Sequence, residues 1–127
     1  GRVSSILCPV QSGNDRILKL MNRGHDAAGV FSALANIRAA NPSLRISSQI
    51  IAGFPTETEA EFDETLARLG DSPCKSVTIF PYDDKENTTA AALQPKVPPH
   101  IIDQRVARAE KELHKHGIST FMSCQEN

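Results

Sequence analysis

Leu44-Arg45-Ile46-Ser47-Ser48-Gln49-Ile50-Ile51-Ala52-Gly53-Phe54-Pro55-Thr56-Glu57-Thr58-Glu59-Ala60-Glu61-Phe62 is the stretch from which the fold is read. Leu44 to Ala52 reads as a strand, and its end, Ile50-Ile51-Ala52, is the unbroken apolar run of a strand buried in a parallel sheet. Gly53-Phe54-Pro55 breaks it. Thr58 with Glu61 three residues on is a capping box, so a helix starts there. Phe62, Leu66 and Leu69 repeat at helical spacing on one face. The acids Glu57, Glu59, Glu61, Asp63 and Glu64 crowd the helix start, where the dipole favours negative charge.

Outward from this βα unit the pattern repeats on both sides. Upstream, Val3 to Val10 carries Ile6, Leu7 and Val10 and ends in the turn Gln11-Ser12-Gly13. A helix follows with Ala27, Val30, Phe31, Leu34 and Ile37 on one face, capped by Asp26 and stopped by Asn41-Pro42. Downstream, Ser76 to Phe80 reads as a third strand. A long polar loop, Pro81 to Lys96, leads into a helix from Pro98-Pro99 to His116 with Ile102, Val106, Ala109 and Leu113 on its apolar face. Gly117 is its natural stop. Three βα units predict an α/β chain with a parallel sheet. Three strands leave both edges open, and a closed barrel would need about six to eight units over about 250 residues. The expectation is therefore a partial TIM-type barrel over residues 1–117, with 118–127 a tail. Gly1 in place of an initiator, with strand character already at Val3, reads as a piece of a longer polypeptide.

Composition adds bounds. Of 127 residues, 39% are hydrophobic and 23% charged, and the net charge is -1, which suits an ordinary globular protein. Near-zero charge provides no electrostatic footprint for nucleic acid, so any RNA would dock mainly outside this chain. No apolar run approaches the roughly 18 residues that span a bilayer, and no membrane partner is expected. Cys8, Cys74 and Cys124 lie far apart in sequence, so no local zinc or iron–sulfur spacing exists. Their odd number, without a secretory context, points to reduced thiols and a cytoplasmic setting. His114 and His116, two apart on a helix, point in different directions and suit a solvated helix end.

Ligands of parallel α/β folds bind at the C-terminal ends of the strands. Each strand here runs into a polar turn: Gln11 to Asp15, Gly53 to Glu57, and Pro81 to Lys85. These turns suit a nucleoside-like ligand. Gln11 and Ser12 offer donors and acceptors for ribose hydroxyls or a carboxylate. Gly53 permits close backbone approach, Phe54, Phe80 and Tyr82 offer an apolar wall, and Lys85 a counter-charge. Ordinary βα turns, with glycine for φ and proline for stiffness, explain the same residues equally well.

The ordered blocks Pro9-Val10-Gln11-Ser12-Gly13, Asp15-Arg16, Leu18-Lys19-Leu20-Met21-Asn22-Arg23-Gly24 and Ile50-Ile51-Ala52-Gly53-Phe54-Pro55 resemble radical S-adenosylmethionine (SAM) enzymes, most closely the tRNA methylthiotransferases. Phe80-Pro81-Tyr82 and Lys96-Val97-Pro98 extend the resemblance, which runs from Ile6 to Leu113. It implies the C-terminal half of a radical SAM core, which binds SAM at a [4Fe–4S] cluster and cleaves it to a 5′-deoxyadenosyl radical. By resemblance, Gln11 and Ser12 fall in the strand-four turn, and Ser48, Gln49, Gly53 and Phe54 in the strand-five segment. The CxxxCxxC motif that would ligate the cluster is absent, so this chain alone is expected to be inactive. The expected partners are the missing N-terminal half of the barrel, tRNA through a region outside this chain, and a second copy through the open sheet edge. Gln49 stands where the family usually has aspartate, and Lys85 where it has arginine. Thr56 replaces a glycine, which predicts negative φ at that residue. These departures keep two alternatives in view: a radical SAM enzyme of another substrate class, and a degenerate half-barrel serving as a binding or assembly module.

Overall fold

The computed structural model describes residues 4–83 and 90–123. Four parallel strands lie in the order β1 (Ser5–Leu7), β2 (Arg45–Ala52), β3 (Ser76–Pro81) and β4 (Ser119–Met122). Between them run α1 (Asp15–Leu20) and α2 (Ala27–Ala40), then α3 (Glu59–Gly70), then α4 (Pro99–Lys115). The register pairs Ile6 with Ile46, Gln49 with Thr78, and Thr78 with Phe121. This is the expected partial α/β barrel, with one strand more than the sequence pattern suggested.

Alternation along the strands decides which face is covered. Ile46, Ile50 and Ala52 of β2 and Val77 and Ile79 of β3 join one core with Leu34, Phe62, Leu66, Leu69, Ile102, Val106, Ala109 and Leu113 from the helices. Ser47, Gln49 and Ile51 of β2, and Ser76, Thr78 and Phe80 of β3, therefore lie on the opposite face. There the Ser47 and Ser76 hydroxyls meet at 2.9 Å.

The helices start where their caps place them. Asp26 accepts from Gly29 N at the start of α2, and the Thr58–Glu61 capping box is complete at α3. The short α1, not anticipated from the sequence, is too brief to persist by propensity alone. It is held by the Asn14 side chain accepting from Ile17 N and by burial of Ile17 and Leu18. At the end of α4, Gly117 has φ +76°. Ile118 N donates to Leu113 O and Gly117 N to His114 O, both at 3.0 Å, the paired bonds of a Schellman stop. The stop turns the chain back onto β3, so residues 119–122 of the segment read as a tail form β4.

Among the described residues both sheet edges are open, as expected. Ile6 and Leu7 on β1 are 39% and 54% exposed, and Phe121 and Met122 on β4 are 59% and 57% exposed. Among the described residues, no helix is long and apolar enough to cross a membrane.

Candidate functional site

The three strand-end turns are brought together and tied to one another. Gln11 takes φ +70°, and its backbone bridges β2, with its N–H donating to Gln49 O at 2.8 Å and its carbonyl accepting from Ile51 N at 3.0 Å. Tyr82 N donates to Ala52 O at 2.8 Å. Phe54 and Tyr82 meet edge to face with centroids 5.5 Å apart. Ile17, Ile51 and Phe54 form a second apolar cluster, against which Leu20, Met21, Phe80, Tyr82 and Leu93 pack. It sits at the strand ends.

The individual side chains have distinct surroundings. Gln11 and Ser12 are buried in the first turn. The Ser12 hydroxyl accepts from Asn14 N at 3.1 Å and lies 3.4 Å from Thr65 Oγ1 on α3. Ser48 points to the helix-covered face; its hydroxyl accepts from Val10 N at 3.1 Å and donates to Cys8 O at 2.8 Å. This side chain is inserted between the two chains where the regular backbone ladder beyond β1 is interrupted. Gln49, one residue on, lies half-buried on the opposite, open face, beside Ile51 and Phe80. Lys85 lies outside the described residues.

One expectation changes, and another gains a structural cause. Gly53 has φ +84°, and its missing Cβ makes room for α4: a Cβ there would lie 2.9 Å from Ile102 Cδ1. Thr56 has φ +72°, contrary to the negative φ its replacement of glycine predicts. Its left-handed backbone is held from outside: Thr56 N donates to Pro95 O at 2.8 Å, and Arg16 Nη2 donates to Thr56 O at 2.7 Å.

The acidic run is spent on ion pairs as well as on capping. Glu57, 4% exposed, accepts from Gly53 N at 3.0 Å and from Arg105 Nη1 at 2.9 Å. Its other oxygen is buried without a hydrogen-bond partner among the described residues. Burial pushes the Glu57 carboxyl up to about 7, against the pull of the Gly53 N–H and Arg105. Glu59 pairs with Arg105 at 2.8 Å and Arg108 at 3.0 Å, and Asp63 with Arg108 at 3.1 Å. The Arg16 guanidinium holds Glu61 below the usual carboxylate range. Among the described residues, no group of His, Cys, Asp and Glu could hold a metal ion.

Thr65 and Arg105 were not picked out from the sequence, and Arg16 entered only as part of the Asp15-Arg16 block, with no role assigned. Thr65 Oγ1 accepts from Gly13 N at 2.8 Å and so pins the first turn to α3. Thr65 and Arg105 each interrupt an apolar helical stripe, Phe62-Thr65-Leu66-Leu69 and Ile102-Arg105-Val106-Ala109. A polar residue on such a stripe is the signal that marks them.

A parallel partial barrel whose strand-end turns are laced around an apolar wall has the form of part of an α/β-barrel enzyme core. The chain belongs to the radical SAM superfamily, whose sequence model matches residues 1–69. It is 42% identical over 107 residues to the tRNA-2-methylthio-N(6)-dimethylallyladenosine synthase of Erythrobacter litoralis, covering 84% of this chain and 24% of the relative. It is 39% identical to the enzyme of the same name from Methylococcus capsulatus, covering 97% of this chain and 28% of the relative. The chain thus spans about a quarter of the length of these relatives. Its fold is similar to that of a radical SAM methyltransferase from Sphaerobacter thermophilus, with a TM-score of 0.66, 16% identity, and coverage of 97% of this chain and 34% of that one. It also resembles the archaeal Elp3 of Methanocaldococcus infernus, with a TM-score of 0.60, 18% identity, and coverage of 98% and 30%.

Proposed function

We propose that this chain is the cofactor-cradling half of a radical SAM core, and that the whole protein transfers a methylthio group to a tRNA base. The observation that carries this is the convergence of three laced strand-end turns on the open-face row Gln49, Ile51 and Phe80, in a chain whose relatives are tRNA methylthio synthases. The donor set suits SAM. An apolar surface from Ile51, Phe54, Phe80 and Tyr82 fits an adenine ring, and the Gln11 and Gln49 side chains carry amides suited to ribose and carboxylate, beside a Gly53 turn closed by its own hydrogen bonds. Ser12 and Ser48, with their hydroxyls bonded inward, hold the turns; Lys85, outside the described residues, keeps its reading from the sequence as a counter-charge.

SAM bound at a reduced [4Fe–4S] cluster supplies hydrogen-atom abstraction, and the protein's contribution is to orient and shield that chemistry. Cys8, Cys74 and Cys124 do not make a cluster-binding set, so the cluster ligands belong to the preceding half of the barrel. That half, about 120 residues of a full barrel domain, would cover the β1 edge where Ile6 and Leu7 are exposed. With a net charge of -1, these residues leave tRNA docking to another part of the protein, in a cytoplasmic setting.

The test is the full-length protein, reconstituted without oxygen and supplied with SAM, reductant and tRNA. The expected products are 5′-deoxyadenosine and a methylthiolated nucleoside. SAM cleavage without any change in tRNA selects a radical SAM enzyme of another substrate class. No SAM binding at all selects the degenerate half-barrel.

A further inference from the structure

Thr56 is a β-branched residue in the left-handed region at φ +72°, a conformation that costs stability unless the surroundings impose it. The Thr56 N–H is held by Pro95 O at 2.8 Å, and the carbonyl and side chain are held by Arg16. Arg16 Nη2 donates to Thr56 O at 2.7 Å, and Nη1 donates to Thr56 Oγ1 at 3.0 Å. The same guanidinium donates to Glu61, Nη2 to Oε1 at 2.7 Å and Nε to Oε2. Glu61 is itself fixed, because Oε1 also accepts from Thr58 N at 2.8 Å in the capping box of α3. Arg16 stands on α1 directly after the first strand-end turn, next to Ile17, which packs against Ile51 and Phe54.

We infer that Arg16 is a positioning residue that clasps the Gly53–Glu57 turn in its left-handed form and fixes it against the Gln11–Asp15 turn. The inference rests on reading these turns as the SAM cradle. Arg16 acts through Thr56 and Glu61 and need not touch the cofactor. Its planar fork serves two acceptors on Thr56 and both oxygens of Glu61, which a lysine ammonium cannot do. Two turns that must grip one ligand are thereby held in a single geometry before the ligand arrives, the condition under which binding loses least to ordering.

The test uses the full-length protein as wild type, Arg16→Ala, Arg16→Lys and the double variant Arg16→Ala/Thr56→Gly, below the melting temperature of each. Two quantities are read: amide hydrogen exchange over residues 53–58, and the SAM dissociation constant. Arg16→Ala is expected to speed exchange in 53–58 and weaken SAM binding, each about tenfold, the scale of losing a preorganised turn. Arg16→Lys should behave like Arg16→Ala. In the double variant glycine takes positive φ freely, so much of the SAM affinity returns. Exchange over Ser76–Pro81 should not change. Wild-type exchange in 53–58 of Arg16→Ala overturns the clasp, as does equal acceleration across Ser76–Pro81, the mark of general loosening. Faster exchange with an unchanged SAM dissociation constant overturns the cofactor role. Faster exchange in a protein whose wild type binds no SAM supports the clasp and refutes the cradle reading, so the two failures are told apart.

Discussion

Ile102 of α4 occupies the space that a side chain on Gly53 would need. A Cβ at Gly53 would sit 2.9 Å from Ile102 Cδ1 and 3.2 Å from Ile102 Cβ, and the backbone there has φ +84°. Helix and turn are therefore fitted to each other, and α4 shapes a turn at the end of β2. Gly53→Ala meets both penalties at once, left-handed strain and overpacking, and should destabilise the protein by about 2–4 kcal/mol. Shortening the neighbour relieves only the second. In denaturant titrations, Gly53→Ala/Ile102→Ala should lose less than the sum of the single variants, because the residues are in contact.

Thr65→Val tests how the first turn is anchored. The hydroxyl accepts from the Gly13 N–H at 2.8 Å and donates to Glu61 O at 3.3 Å within α3. Valine keeps the shape and leaves a buried N–H unpaired, a loss of about 1–3 kcal/mol. Thr65→Ser keeps the oxygen and should lose markedly less. Equal losses in the two variants would assign the effect to packing instead of the hydrogen bond.

These contacts separate what was legible in the sequence from what was not. The βα alternation, the Asp26 and Thr58 caps and the stop at Gly117 could be read, because each is a local rule written within a few residues. The β4 strand could not be read: Ser119–Met122 has no buried apolar run, with three of its residues exposed, and it pairs only because the stop at Gly117 turns the chain back to β3. The positive φ of Thr56 was read with the wrong sign, since a local preference against β-branched residues there is overridden by Arg16, forty positions away. The turns of the candidate site were visible, but not the division of labour within them. Ser48 and Gln49 are adjacent in sequence and face opposite sides of the sheet, one toward the helices and one toward the open face.

Cys74 should behave as an inert thiol. It is 4% exposed, belongs to the main core, and its thiol is pushed up by burial. The thiolate is the reactive species, so alkylation of the native protein at pH 8 should modify half-buried Cys8 well before Cys74. Peptide mapping by mass spectrometry after iodoacetamide treatment reads the order directly. Modification of Cys74 should appear only under conditions that open the α/β core, and earlier labelling would contradict the burial that the core packing requires.

The buried Glu57–Arg105 pair makes stability depend on pH in an unusual direction. Burial raises the Glu57 carboxyl from 4.5 to about 7, so between those values the folded protein holds a proton that the unfolded chain releases. Stability from this group is fully present below about pH 4.5 and is lost as pH rises through about 7, by up to about 1 kcal/mol per pH unit inside the window. Glu61 has the opposite sign: Arg16 lowers its carboxyl, so its contribution is present above pH 4.5 and lost as pH falls below that value. The two windows do not overlap, which lets them be measured separately. Glu57→Gln keeps an oxygen to accept from Gly53 N and removes the titration. The stability difference between wild type and Glu57→Gln should therefore shift steadily against the wild type from pH 4.5 to 7 and level off above. A difference that stays flat across that window would mean that Arg105 holds Glu57 ionised and that burial does not prevail.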